Sequence, residues 1–270
     1  MRMGYLAASA TFFAVMALAS TSALAADCGA DADADEANAK CYPTLQAAVD
    51  AALAADLPLV LPRGSYRGPV VIDYTAHAGT GFELISHGAT INGTLTIECS
   101  TDCFYFHQEG TLFVSANAPG YAVTVGKPDL SDPQNSIKFD HLIVNNGGGP
   151  AVQLNYVLDA DLFIVADSGA NIGLDIEQMQ FSTLHGAASA PYGTAINFGP
   201  GYIFANTFQG LDLEASPVCI SDMSNKTTNN TWNSPYLNCQ TGLIYGHKTS
   251  TLGVNNWQLG GAVRASSVEQ

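Results

Sequence analysis

Tyr121-Ala-Val-Thr-Val125, Pro150-Ala-Val-Gln-Leu154, Ile172-Gly-Leu-Asp-Ile176, Thr194-Ala-Ile-Asn-Phe198, Pro217-Val-Cys-Ile220 and Thr241-Gly-Leu-Ile-Tyr245 repeat one phrase: a small residue or turn, then apolar–any–apolar. With Val123, Val152, Leu174, Ile196, Val218 and Leu243 aligned, the steps are 29, 22, 22, 22 and 25 residues. Short strands returning at this interval bury an apolar face only by stacking each coil on the next, which is the logic of a solenoid. The chain is therefore expected to be all-β, a single-stranded parallel β-helix. Its coils draft as 57–80, 81–99, 100–127, 135–157, 158–179, 180–203, 204–225, 229–248 and 252–263. Asn145-Asn146-Gly147-Gly148-Gly149, Gly199-Pro200-Gly201 and Asn229-Asn230 mark corners, where positive φ is often needed.

Side chains alternate along a strand, so the middle residue of each triplet faces outward. Down the stack that column reads Thr124, Gln153, Asp175, Asn197, Cys219 and Ile244. A second register lies earlier in each coil: Leu142-Ile-Val144, Leu162-Phe-Ile164, Leu184-His-Gly186, Leu211-Asp-Leu213 and Leu237-Asn-Cys239. Its outward column is Ile143, Phe163, His185, Asp212 and Asn238. Coils repeat at ~4.8 Å, so column neighbours touch. This places His185 beside Asp212, a carboxylate orienting an imidazole for acid–base work. Gln153, Asp175 and Asn197 form a polar stripe suited to sugar hydroxyls, with Asn238 a further binding candidate. Asp175, His185 and Asp212 are the candidate catalytic centre. The same polar columns also read as ladders that merely tie coils together.

The amino-terminal part of the chain carries its own signals. Arg2, the apolar run from Leu6 to Leu18 and Ala23-Leu24-Ala25 read as a signal peptide over residues 1–25. The remaining 26–270 form one domain. Residues 44–55 are the one convincing helix: Leu45, Ala48, Val49, Ala52 and Leu53 recur at helical spacing between Pro43 and Pro58. Such a helix would cover the open apolar end of the first coil. At the acidic start, Asp31, Asp33 and Asp35 alternate with alanine, but Glu36 and Tyr42 stand where a calcium loop needs glycine and glutamate.

Thr44-Leu-Gln46-Ala-Ala48-Val-Asp50-Ala51-Ala52, followed by Val60-Leu61-Pro62-Arg-Gly64-Ser-Tyr66, resembles the opening of the pectate-lyase superfamily. That superfamily comprises right-handed parallel β-helices, among them phage tailspike-like proteins and the rhamnogalacturonase and epimerase-like enzymes. The resemblance implies a right-handed coil and a polysaccharide partner. It does not carry an activity across. No aspartate doublet matches the motifs of the family's polygalacturonases. The Arg or Lys base of its uronide lyases has no counterpart either, since the mature arginines are Arg63, Arg67 and Arg264, outside the central coils.

Charge and cysteines narrow the setting. The signal segment holds one of nine basic residues and no acidic one, so the mature formal charge is 8 − 24 = −16. That excludes a basic footprint for nucleic acid or an anionic membrane, and no later segment is long enough for membrane insertion. Six cysteines in an exported chain imply disulfides, and a solenoid favours local pairs: Cys28–Cys41, Cys99–Cys103 and Cys219–Cys239. The six histidines show no metal-ligand spacing, so no metal or cofactor is expected, and calcium lacks a motif. The expected protein is secreted, periplasmic or extracellular, a monomer or homotrimer that recognises a polysaccharide. Whether it also cleaves that polymer, as a lyase or glycoside hydrolase, stays open. The alternative is a non-catalytic surface scaffold or adhesin on the same solenoid.

Overall fold

Every strand pairing among the described residues is parallel, and each joins residues one coil apart. In the computed structural model, which describes residues 35–101, 103–224 and 226–245 with the short strands Asn256–Gln258 and Ser267–Glu269, this produces a β-solenoid of about eight turns. The segment read as a signal peptide lies outside the described residues, as does Cys28. Among the described residues no helix is long and apolar enough to cross a membrane.

Three faces make up each coil. The first face stacks Val70–Asp73, Leu95–Glu98, Val123–Val125, the starts of Val152–Leu158 and Ile172–Gln180, then Thr194–Phe198, Val218–Asp222 and Thr241–Tyr245. A short second face runs through Gln134, Val157, Met179, Ile203 and Thr227. The longer third face contains Phe82–Asn92, Cys103–Ala116, Gln134–Asn146, Asp161–Ser168, Thr183–Ser189 and Thr207–Glu214, and it is bent midway by register shifts.

The corner between the second and third faces is built the same way in coil after coil. Tyr105, Ser136, Asp159, Phe181, Ala205 and Asn229 each take a positive φ between 49° and 65°. A single left-handed residue turns the chain sharply, and its neighbours must satisfy the freed backbone groups. Buried Ser182, Asn206 and Asn230 do so. Asn206 Oδ1 accepts from the Ser182 N–H at 3.0 Å, and Asn230 Oδ1 from the Asn206 N–H at 2.9 Å. The Asn206 and Asn230 amides donate to the Met179 and Ile203 carbonyls. A coil-tying side-chain ladder therefore runs inside this corner.

The core is the inward residues of all three faces. On the first face the inward row Val70, Leu95, Val123, Val152, Leu174, Ile196, Ile220 and the half-buried Leu243 advances by 25, 28, 29, 22, 22, 24 and 23 residues. Each fully buried aliphatic side chain contributes roughly 1.5–3 kcal/mol. Beside this row runs a column of small buried residues: Ala122, Ala151, Gly173, Ala195, Cys219 and Gly242. Cys219 therefore points inward, where it is disulfide-bonded to Cys239 with Cα atoms 5.5 Å apart. The expected placement of Cys219 in the outward column is wrong by two residues, and Ser221 holds that place. Cys99 and Cys103 form a second disulfide, with Cα atoms 6.2 Å apart.

The helix Leu45–Ala55 closes the stack as expected. Leu45, Ala48, Val49 and Ala52 are buried, and the Thr44 hydroxyl accepts from the Ala47 N–H at 3.1 Å as N-cap. Its Gln46 side chain donates to the Val71 carbonyl at 2.9 Å and accepts the Val71 N–H at 2.8 Å. One glutamine thus satisfies the open edge of the first strand, which would otherwise be free to pair with another chain.

Candidate functional site

On the first face the alternation holds without interruption. Thr96, Thr124, Gln153, Asp175, Asn197 and Ser221 form one outward column, each opposite the next. Asp175 is nonetheless only 4% exposed. Asn197 Nδ2 donates to its Oδ1 at 2.8 Å, and the Tyr121 hydroxyl donates to its Oδ2 from two coils away. Two residues on, along the same strand, stands the half-buried Glu177. Its carboxyl occupies space above Gly199, where any Cβ would collide with it.

The protonation behaviour follows from this crowding. Burial raises the Glu177 carboxyl above its ordinary value, and the neighbouring negative charge of Asp175 adds to the effect. Burial also pushes the Tyr121 phenol up, reinforced by its bond to Asp175 and by the charges of Asp175 and Glu177. Tyr121 is therefore a neutral donor at any physiological pH. Among the described residues neither carboxyl makes an ion pair with lysine or arginine. The crowding therefore sets a carboxyl biased toward its protonated form beside one that accepts two hydrogen bonds, an asymmetry of the kind acid–base chemistry uses.

The third face does not assemble the expected pair. His185 lies opposite Phe163 and Gln209, whereas Asp212 lies opposite Ala187 and Tyr236. The register shifts between His185 and Ala187, because Gly186 (φ 117°) and Gly210 (φ 59°) bend their strands and the later coil carries the extra residue. His185 Nε2 approaches Asp161 Oδ1 instead, at 3.5 Å. An equivalent shift between Leu162 and Ile164 sets Ile143 opposite Val165 rather than Phe163. Burial and the charge of Glu214 raise the Asp212 carboxyl, and its Oδ1 is buried without a hydrogen-bond partner. Asn238 is exposed opposite Glu214, on this face and not beside Asp175.

Of the expected site residues, then, Gln153, Asp175 and Asn197 come together, and His185, Asp212 and Asn238 stand apart from them. Glu177 was within reach of the alternation rule, being two residues from Asp175. Tyr121 was not, since nothing local to it signals a reach across two coils. Two hollows lie elsewhere: about 620 Å³ between the helix and Ser65–Arg67, and about 450 Å³ beside Pro191, Pro217 and Cys239.

No family model matches the sequence, and no curated protein matches it. Among solved structures, the Azotobacter vinelandii mannuronan C-5 epimerase AlgE6 A-module is similar, with a TM-score of 0.41 at 12% identity. The alignment covers 86% of this chain and 97% of that chain.

Proposed function

We propose that this protein is an exported solenoid that binds an extended polysaccharide along its first face and hydrolyses it with Glu177 as acid and Asp175 as its carboxylate partner. The observation that carries the reading is the Asp175–Glu177 pair: two carboxyls on one strand, with no lysine or arginine partner among the described residues, one of them driven toward its protonated form. Their Cα atoms stand ~6.6 Å apart along the strand at a rise of ~3.3 Å per residue. Glycosidic carboxyl pairs lie about 5–9.5 Å apart. Glu177 would protonate the leaving glycosidic oxygen while Asp175 takes a proton from, or the place of, the attacking water. For that step Tyr121 must exchange its bond to Asp175 for one to the sugar. The net negative charge favours a neutral glycan over a polyanionic one. Export is supported by the amino-terminal pattern and by two disulfides within the solenoid.

A second reading has its own support. Both oxygens of Asp175 are satisfied and almost wholly buried, as they would be in a tie between coils of a non-catalytic scaffold. Reducing-end release from a panel of neutral polysaccharides separates the two. The enzyme reading expects product from at least one polymer, and a loss of about 10²–10⁴-fold in Glu177→Gln with folding intact. No product from any polymer, together with a lowered Tm in Asp175→Asn, would establish the scaffold.

A further inference from the structure

Away from the Asp175 cluster, the third face carries a second group of ionisable side chains. Glu83 and His107 lie opposite each other on adjacent coils, and Glu109 is two residues from His107 on the same strand. Alternation turns all three outward. One potential ligand atom from each, a carboxylate oxygen or imidazole nitrogen, lies within 4.8 Å of the other two. No ligand spacing is visible in the sequence, because stacking of coils brings Glu83 to His107.

The imidazole is held in one orientation. His107 is 13% exposed, and its Nε2 lies 3.3 Å from Asp140 Oδ1. Asp140 is fixed in turn by Lys138 Nζ at 2.9 Å and by the Gly110 N–H at 3.1 Å. With Asp140 Oδ1 beside Nε2, the imidazole proton is held on Nε2. Nδ1 then presents its lone pair toward Glu83 Oε1, 3.4 Å away, and the Tyr105 hydroxyl, 3.5 Å away. A carboxylate oxygen facing an imidazole lone pair repels it unless a proton or a metal cation lies between them.

We propose that Glu83, His107 and Glu109 bind a divalent first-row transition cation, with zinc as the reference ion. His107 Nδ1 and one oxygen from each glutamate supply three ligands, and water completes the shell. Asp140 is the positioning residue, in the carboxylate–histidine–metal relation that orients such ligands. The imidazole selects zinc and its neighbours over calcium or magnesium, which take oxygen ligands. The site is separate from the Asp175 cluster and stands whether or not that cluster cleaves sugar.

Zinc titration of the chelator-stripped full chain by calorimetry, with the visible spectrum of a cobalt-substituted sample, tests this. The wild type should bind one zinc that Glu109→Gln weakens by about tenfold or more and that His107→Ala abolishes. Asp140→Asn, which leaves every ligand in place, should weaken binding about 10–100-fold. The cobalt bands should disappear in His107→Ala. Because Glu109 is exposed, its glutamine variant tests the site even if the His107 variant fails to fold. Equal zinc affinity in wild type and Glu109→Gln, or a calcium affinity matching that for zinc, would overturn the proposal.

Discussion

The first and third faces of this solenoid are made of the same kind of strand, yet one keeps its register and the other loses it. From Thr96 to Ser221 the first face pairs residue with residue, and Gln153, Asp175 and Asn197 meet as alternation dictates. The third face slips between His87 and Ala89, Gln108 and Thr111, Leu162 and Ile164, and His185 and Ala187. Because side chains alternate with a period of two, a one-residue slip reassigns every neighbour beyond it. Columns are therefore a reliable guide to contacts only where no bulge intervenes.

The largest effect should come from attacking the slip itself. At Gly186 a Cβ would drive into the Ile164 backbone, and φ is 117°. Gly186→Ala should cost about 3 kcal/mol or more in denaturant unfolding. Gly210 has φ 59° but open space around it, so Gly210→Ala should cost only about 1–2 kcal/mol. Equal costs would mean that the bend is not pinned at Gly186.

A smaller contrast compares one aspartate on each face. Asp175→Asn disturbs two hydrogen bonds to a charged acceptor and should cost about 1.5–3 kcal/mol. Asp212→Asn removes a carboxylate with a buried, unpartnered oxygen and should be neutral or stabilising. Thermal unfolding of both variants checks the order, and a larger loss for Asp212→Asn would reverse it.

The gentlest test is pH, to which Glu177 on the first face and Asp140 on the third respond with opposite sign. Glu177 titrates higher in the fold than its ordinary 4.5, so its contribution is present below 4.5 and is lost as pH rises through the raised value. Asp140 sits at about 2 against an ordinary 3.8, so its contribution is present above 3.8 and is lost as pH falls toward 2. In chelated buffer, Glu177→Gln should gain on the wild type as pH rises above 4.5. The deficit of Asp140→Asn should close on acidification.

Much of the architecture was legible because it depends on repetition. The inward row from Val123 to Ile196 and the capping helix at 44–55 follow from periodicity alone, and the structure places them at Val123, Val152, Leu174, Ile196 and Leu45–Ala55. Cys219 was misplaced because Val218-Cys-Ile220 looks like an apolar–any–apolar triplet, whereas the small-residue column Ala151, Gly173 and Ala195 assigns the cysteine inward. The site was half legible. Asp175 and Asn197 were found by register, and Glu177 lay one alternation further along. Tyr121 depends on side-chain reach across coils, and the parting of His185 from Asp212 depends on glycine bends. Neither leaves a periodic trace.

The pairing of Asp175 with Glu177 bears the weight of the proposed activity, and a carboxyl carbon NMR titration of Glu177 examines it directly. In the wild type Glu177 should titrate above 4.5, and in Asp175→Asn it should move down toward that value as the neighbouring charge is removed. An ordinary glutamate titration in both proteins would contradict the acid–carboxylate pair and leave the first face as a structural ladder.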